Sequence, residues 1–303
     1  MMADNMPRSV GFAVLWSTMQ AAVQWRLLLL WLLIMAMPTV AVVLPLWQML
    51  GGLLDNSVHA TEWARHFNAV MFTDIVLALS DHAEWLGASA MIGVGATLLL
   101  SSYLNGMIVG SGRAGRALGF GALLQNGLIE YGRMFRVMLW SLLPYALVIG
   151  AWKVGGNIAD KHAENAVLES QANLYAHVIQ VFVLIVFVLV QSMVESARAA
   201  FIADITLRSA TRAMWRGIRQ CIRRPVKTVS FYVLVTLAGV VLATLFGMAR
   251  IHVTTFGVVG FLFALLLSQL IVLTMGWMRT ARLFALAEVA RTVVPARVQA
   301  EYR

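Results

Sequence analysis

LLLLWLLIMAMPTVAVVLPLWQML, residues 27–50, is the stretch on which the fold turns. It begins directly after Arg26 and carries no charged side chain. A helix needs about 20 mostly apolar residues, rising about 1.5 Å each, to cross the hydrocarbon of a bilayer. The run meets that length. No small-residue cleavage site closes it early, so it reads as a retained span and not as a signal peptide. Pro38 and Pro45 lie inside it and predict a kink.

Five further segments qualify by the same measure: residues 86–110, 137–155, 174–194, 229–249 and 256–278, and Pro144 inside the second of these predicts a kink there too. Composition agrees. The chain is 60% hydrophobic and 12% charged, where a soluble domain runs near a quarter charged, and its mean hydropathy is +0.80. A soluble fold of this size has too little interior to hide so much apolar surface. The pattern predicts an all-α fold: a polytopic transmembrane helical bundle of about six spans, a single membrane domain over residues 1–303. Amphipathic interfacial helices and basic cytoplasmic loops complete it.

The charges orient the bundle. With the N-terminus in the cytoplasm, the inner side collects Arg8, Arg26, Arg113, Arg116, Arg133 and Arg136. It also collects Arg198, Arg208, Arg212, Arg216, Arg219, Arg223, Arg224 and Lys227, and then Arg279, Arg282, Arg291, Arg297 and Arg303. Of the 23 Lys and Arg residues only Arg65, Lys153, Lys161 and Arg250 fall outside. Basic residues resist translocation, so the asymmetry places both termini in the cytoplasm. The acids invert it: Asp55, Glu62, Asp74, Asp81, Glu84, Asp160, Glu164 and Glu169 lie outside. The net charge of +9 thus has a topological origin, and no nucleic-acid partner is expected.

Residues 8–25 read as an amphipathic helix on the inner leaflet, with Trp16 and Trp25 at headgroup level. The outer loop 51–85 contains an apolar stretch, 67–79, too short to span; an interfacial or re-entrant helix is expected there. A repeat at an offset of 90 residues aligns Gly127 with Gly217 and Arg133 with Arg223, each pair just ahead of a span. A second echo, A-R-x4-A-[DE], joins Ala197 to Asp204 after the fourth span and Ala281 to Glu288 after the sixth.

The most prominent constellation is the loop between the fourth and fifth spans. Arg208, Arg212, Arg216, Arg219 and Arg223 step by 4, 4, 3 and 4, which puts them on one helical face. Trp215, Ile218 and Ile222 line another. Such a face docks an acidic partner or lipid phosphates, or it is an ordinary interfacial helix obeying the charge rule for topology. The run Ala197-Arg198…Ala203-Asp204…Ala210…Ala213…Arg216-Gly217…Arg223-Arg224-Pro225 resembles a pattern in poorly characterised bacterial polytopic inner-membrane proteins. These include the membrane domain that accompanies some glycerophosphodiester phosphodiesterases. The resemblance covers about 30 residues. It implies a bacterial inner-membrane protein without an activity of its own, since the catalytic domain of those phosphodiesterases finds no counterpart here.

Asp55, His59, Glu62 and His66 in the outer loop also share a helical face and are candidate zinc ligands; otherwise they are solvated polar residues in a wet part of the chain. Within the spans the notable polar residues are Asn105, Gln191, Glu195 and Gln269. Such groups mark substrate paths or serve as interhelical hydrogen-bond glue, and Glu195 has Arg198 at hand for a local ion pair. Cys221 is the single cysteine, so no intrachain disulfide can form. It lies in a basic helix with no histidine on its side, which argues against a catalytic thiol. G-x-S-x-G and phosphate-loop motifs are absent from the sequence.

The leading expectation is a non-enzymatic membrane subunit or scaffold, without cofactor, docking a cytoplasmic protein or anionic lipid through its basic loops. The rivals are a transporter or permease component with basic coupling helices, and an intramembrane enzyme acting on lipid. The topology is testable: a reporter fused after Arg303 should work only as a cytoplasmic reporter, and one inserted near Asn165 only as an external one. The opposite pattern at either position rules out the six-span arrangement.

Overall fold

The computed structural model describes residues 11–54, 69–81, 83–164, 169–253 and 257–293. Among them there is no strand. The helices are α1 (Phe12–Ala21), α2 (Trp25–Leu54), α3 (Ala69–Asp81), α4 (Ala83–Ala114), α5 (Phe120–Glu164), α6 (Glu169–Ala203), α7 (Ala210–Arg223), α8 (Pro225–His252) and α9 (Gly257–Val293). Six of them, α2, α4, α5, α6, α8 and α9, are long and apolar enough to cross a membrane. The chain is an all-α, polytopic helical bundle.

The helices outrun the hydropathy segments. The third span, expected over 137–155, belongs to a helix of 45 residues. Hydropathy registers only the part that must sit in hydrocarbon, whereas backbone hydrogen bonding continues into the charged flanks. Of the N-terminal stretch 8–25, residues 8–10 lie outside the described residues; α1 occupies Phe12–Ala21, and α2 opens at Trp25. Between α2 and α4, α3 forms over 69–81.

The described residues divide into two compact units. One comprises Leu30–Ser101. Within it α2 and α4 come together where Gly93 faces the Val42 side chain, beside a shallow groove lined by Pro38, Thr39, Ala90 and Thr97. The other holds the residues up to Leu29 and from Ser102 onward. In this larger unit α6 is central and packs against α5, α7, α8 and α9.

Its core is gathered at one end. Residues 104–111 of α4, 194–202 of α6 and most of 274–290 of α9 are buried, and all three stretches lead into arginine-rich segments. Gly112 of α4 sits where Ile202 and Phe284 arrive; a Cβ there would lie 2.9 Å from Ile202 and 3.0 Å from Phe284. Farther along α6, Val181, Phe182, Leu184, Ile185 and Leu189 are exposed. A face of that kind is stable only against lipid.

The repeat seen in the sequence is also a repeat of contacts. A Cβ on Gly127 of α5 would press on Tyr103 and Met107 of α4; a Cβ on Gly217 of α7 would press on Met193 and Ala197 of α6. Each of these positions is its counterpart moved by 90 residues. Glu130 and Gln220, related by the same offset, are both buried. The copies part at one point: α5 runs on unbroken, whereas Pro225 closes α7 and opens α8. Proline lacks the amide hydrogen that a continuing helix needs and is well suited to a first helical position.

The two glycines should differ in tolerance. At Gly217 the added Cβ would lie 2.5 Å from the Met193 carbonyl oxygen and 2.8 Å from the Ala197 nitrogen, backbone atoms that cannot rotate away. At Gly127 its nearest neighbours are side-chain atoms. Gly217→Ala should therefore destabilise the protein in detergent by about 1–3 kcal/mol, the usual range for overpacking, and Gly127→Ala by clearly less. Equal thermal-melting shifts would contradict the backbone contact.

Candidate functional site

Helix α7 is built to lie flat. Ala210, Ala213, Met214, Gly217 and Gln220 form its buried face, and the small ones let its backbone rest on α6. Ser209 caps its start, accepting from the Arg212 N–H at 3.4 Å. The connection from α6 is tied by Asp204. One carboxylate oxygen accepts from the Thr206 N–H at 2.9 Å and from the Thr206 hydroxyl at 2.6 Å. The other accepts from Arg216 Nη1 at 2.5 Å. The turn and the ion pair together set the rotation of α7 about its axis.

That rotation points the arginines outward. Arg212, Arg219 and Arg223 are exposed; Arg208, expected on the same helical face, is exposed too but precedes the N-cap Ser209 and so lies off the helix. Arg216 is only partly so, because it is drawn into the pair with Asp204. Beside the arginines, on the same outward side, stand Trp215 at 65% and Ile222 at 73% exposure; Ile218 is half-buried.

Behind this face lies a belt of ion pairs. Arg113, from the end of α4, donates through Nε to the Phe201 carbonyl at 2.8 Å and through Nη1 to Glu130 at 2.5 Å. Arg133 donates to both Glu130 oxygens at 2.8 and 2.9 Å. Arg198 donates to Glu195 at 2.9 Å, with both residues buried. Arg291 pairs with Glu288. Thus Glu130, Glu195, Asp204 and Glu288 each hold an arginine; Arg113 ties α4 to α5 through Glu130 and to α6 through the Phe201 carbonyl, while the Glu195 and Glu288 pairs close within α6 and α9. Leaving one member of such a pair unpartnered in the interior costs several kcal/mol.

Of the remaining polar residues expected in the spans, Gln191 accepts from the Tyr145 hydroxyl at 3.0 Å. Asn105 is buried and its Oδ1 has no hydrogen-bond partner among the described residues. Gln269 is half-buried on α9. The zinc candidates Asp55, His59, Glu62 and His66 lie outside the described residues. Among the described residues no group of three or more His, Cys, Asp or Glu could hold a metal ion. Cys221 is half-buried; burial pushes its thiol up, against the Ser192 and Ser196 hydroxyls that favour the thiolate.

Arg279 and Arg282 entered the sequence analysis only as topology charges. The structure sets them on α9 facing Glu195 of α6, whose carboxylate feels both. The signal was the A-R-x4-A-[DE] echo, which places Arg282 at the position of Arg198 and, one turn earlier, Arg279 at that of Glu195. At the same basic end a cleft of about 370 Å³ opens between α1 and the ends of α4 and α9, with Gln20, Gln24, Ser111, Arg116 and Arg291 on its walls.

No protein-family model, curated protein or solved structure matches the chain. The geometry itself defines the class: a multi-pass integral membrane protein with a close-packed basic end.

Asp204 gives the site a pH signature. Burial raises its carboxyl pKa, but the hydrogen bonds from Thr206 and Arg216 outweigh this and leave it below the ordinary aspartate value. A depressed pKa stabilises the fold above the unfolded-state value, and the gain is lost as pH falls through the folded one. Asp204→Asn should lower stability at neutral pH and flatten the acid limb of a melting-temperature profile below the ordinary aspartate range. An unchanged acid limb would show that Asp204 does not tie α7 down.

Proposed function

We propose that this chain is a non-enzymatic subunit of a bacterial inner membrane, both termini cytoplasmic, whose helix α7 engages the phosphates of anionic lipid. The observation that carries the reading is the mixed outward face of α7. Arg212, Arg219 and Arg223 stand beside exposed Trp215 and Ile222. Arginine on phosphate with an aromatic and an aliphatic residue at the acyl boundary is the chemistry of a helix lying in a membrane surface. An acidic soluble partner would use the arginines and leave Trp215 and Ile222 wet.

The non-enzymatic reading rests on the chemistry of the basic end, where the described acids are engaged with arginines and the cysteine thiol is pushed up. The cleft by α1 opens at that end, among the arginines, which favours docking.

Each exposed arginine near an anionic surface contributes about 1 kcal/mol, roughly a factor of five in lipid preference. Arg212→Glu with Arg219→Glu spares Arg216 and its pair, and Arg223, Arg224 and Lys227 still flank α8. Reconstituted with spin-labelled phosphatidylglycerol and phosphatidylcholine, the double variant should insert normally and lose most of the wild-type preference for the anionic lipid. If the preference is unchanged while a co-purifying protein is lost, α7 is a protein-docking helix. If both are unchanged, the stripe serves only to orient the chain.

A further inference from the structure

Four helices of the larger unit bring polar groups to one place inside its basic end. Glu195 and Arg198 come from α6, Arg279 and Arg282 from α9, Tyr232 and Thr236 from α8, and Tyr145 from α5. Arg198 takes one oxygen of Glu195 at 2.9 Å. The other, Oε2, is buried without a hydrogen-bond partner among the described residues, although Glu195 is only 2% exposed. Arg282 lies over the Tyr232 ring at 5.2 Å. Among the described residues its Nη1 reaches two neutral hydroxyls, of Tyr232 and Thr236, at 3.4 Å each, and its buried Nε lacks a partner. Arg279, one turn earlier on the same helix, adds its positive charge to the field.

Arginine cannot relieve this by shedding a proton. A guanidinium N–H without an acceptor and a carboxylate oxygen without a donor therefore stand in one cluster whose fixed charges are mainly positive. An anion would answer the surplus of arginine charge as well as the open N–H, and a proton on one of its oxygens would satisfy Glu195. We propose that this cluster is a binding site for a single protonated phosphate group, with Arg282 Nε donating to a phosphate oxygen and the P–OH donating to Glu195 Oε2. Inorganic phosphate and a phosphate monoester headgroup share that chemistry. Sulfate does not: at neutral pH it has no proton to offer, and Glu195 repels it.

The wild-type protein in mild detergent provides the test. At matched ionic strength, millimolar phosphate should raise its melting temperature and sulfate should not. Glu195→Gln, which replaces an acceptor-only carboxylate by an amide that can donate, should admit sulfate. Arg282→Gln should weaken phosphate binding at least tenfold, and Arg212→Glu with Arg219→Glu, remote from the cluster, should leave the phosphate response intact. In parallel, native mass spectrometry of protein from nanodiscs containing phosphatidic acid and phosphatidylcholine reads the lipid source. Phosphatidic acid retained by wild type and lost from Arg282→Gln assigns the site to a headgroup; a response to free phosphate alone assigns it to a soluble anion. Equal effects of phosphate and sulfate on the wild type, or no response to either phosphate source, would overturn the proposal without any variant having to fold. Neither result bears on the lipid preference of α7.

Discussion

The approach of α7 to α6 at Gly217 conditions much of what surrounds it. With a Cβ at that position the two backbones would collide, and α7 would have to lift or roll. If it rolled, Arg216 would leave Asp204, and the outward arginines would turn with it. The aim of a charged surface is thus set by a residue that has no side chain. The same contact, made by Gly127 against α4, opens the preceding copy of the motif, where its consequence is the burial of Glu130 against Arg113 and Arg133. A small residue at the crossing comes first, and the ionic contacts then find their geometry.

The ionic belt would be an odd way to stabilise a soluble core, since desolvating a carboxylate and a guanidinium together roughly cancels their attraction. At the end of a membrane bundle the comparison differs. Arginines gather at that end, and the helix ends bring carbonyls that need donors. Arg113 answers that need, donating to the Phe201 carbonyl at the end of α6 and also to Glu130. Through Arg113 the same charge becomes joinery between α4, α5 and α6.

Much of the fold was legible in the residues because lipid imposes a rule with one period and one length. An apolar run of about 20 residues admits few other readings, and the six segments answer to six of the helices described. What hydropathy could not register is where helices stop, since charged flanks such as those of α5 remain helical beyond the apolar part. The arginine spacing on α7 was readable from helical period alone. The diversion of Arg216 to Asp204 was not, because it depends on the turn that Thr206 makes with that carboxylate. Arg198 meeting Glu195 could be anticipated from a separation of three residues. Arg279 and Arg282 joining them required the register between two helices some 80 positions apart in sequence, which only the A-R-x4-A-[DE] echo hinted at.

Pro225 sets two otherwise matching copies apart. Helix α5, at 45 residues and about 1.5 Å each, follows a path of about 67 Å, and Pro144 interrupts its hydrogen-bond ladder without ending it. In the second copy Pro225 ends one helix and starts another. The first copy therefore keeps its charged flank and its apolar stretch in one helix, whereas in the second the two parts meet at a joint where their axes need not coincide.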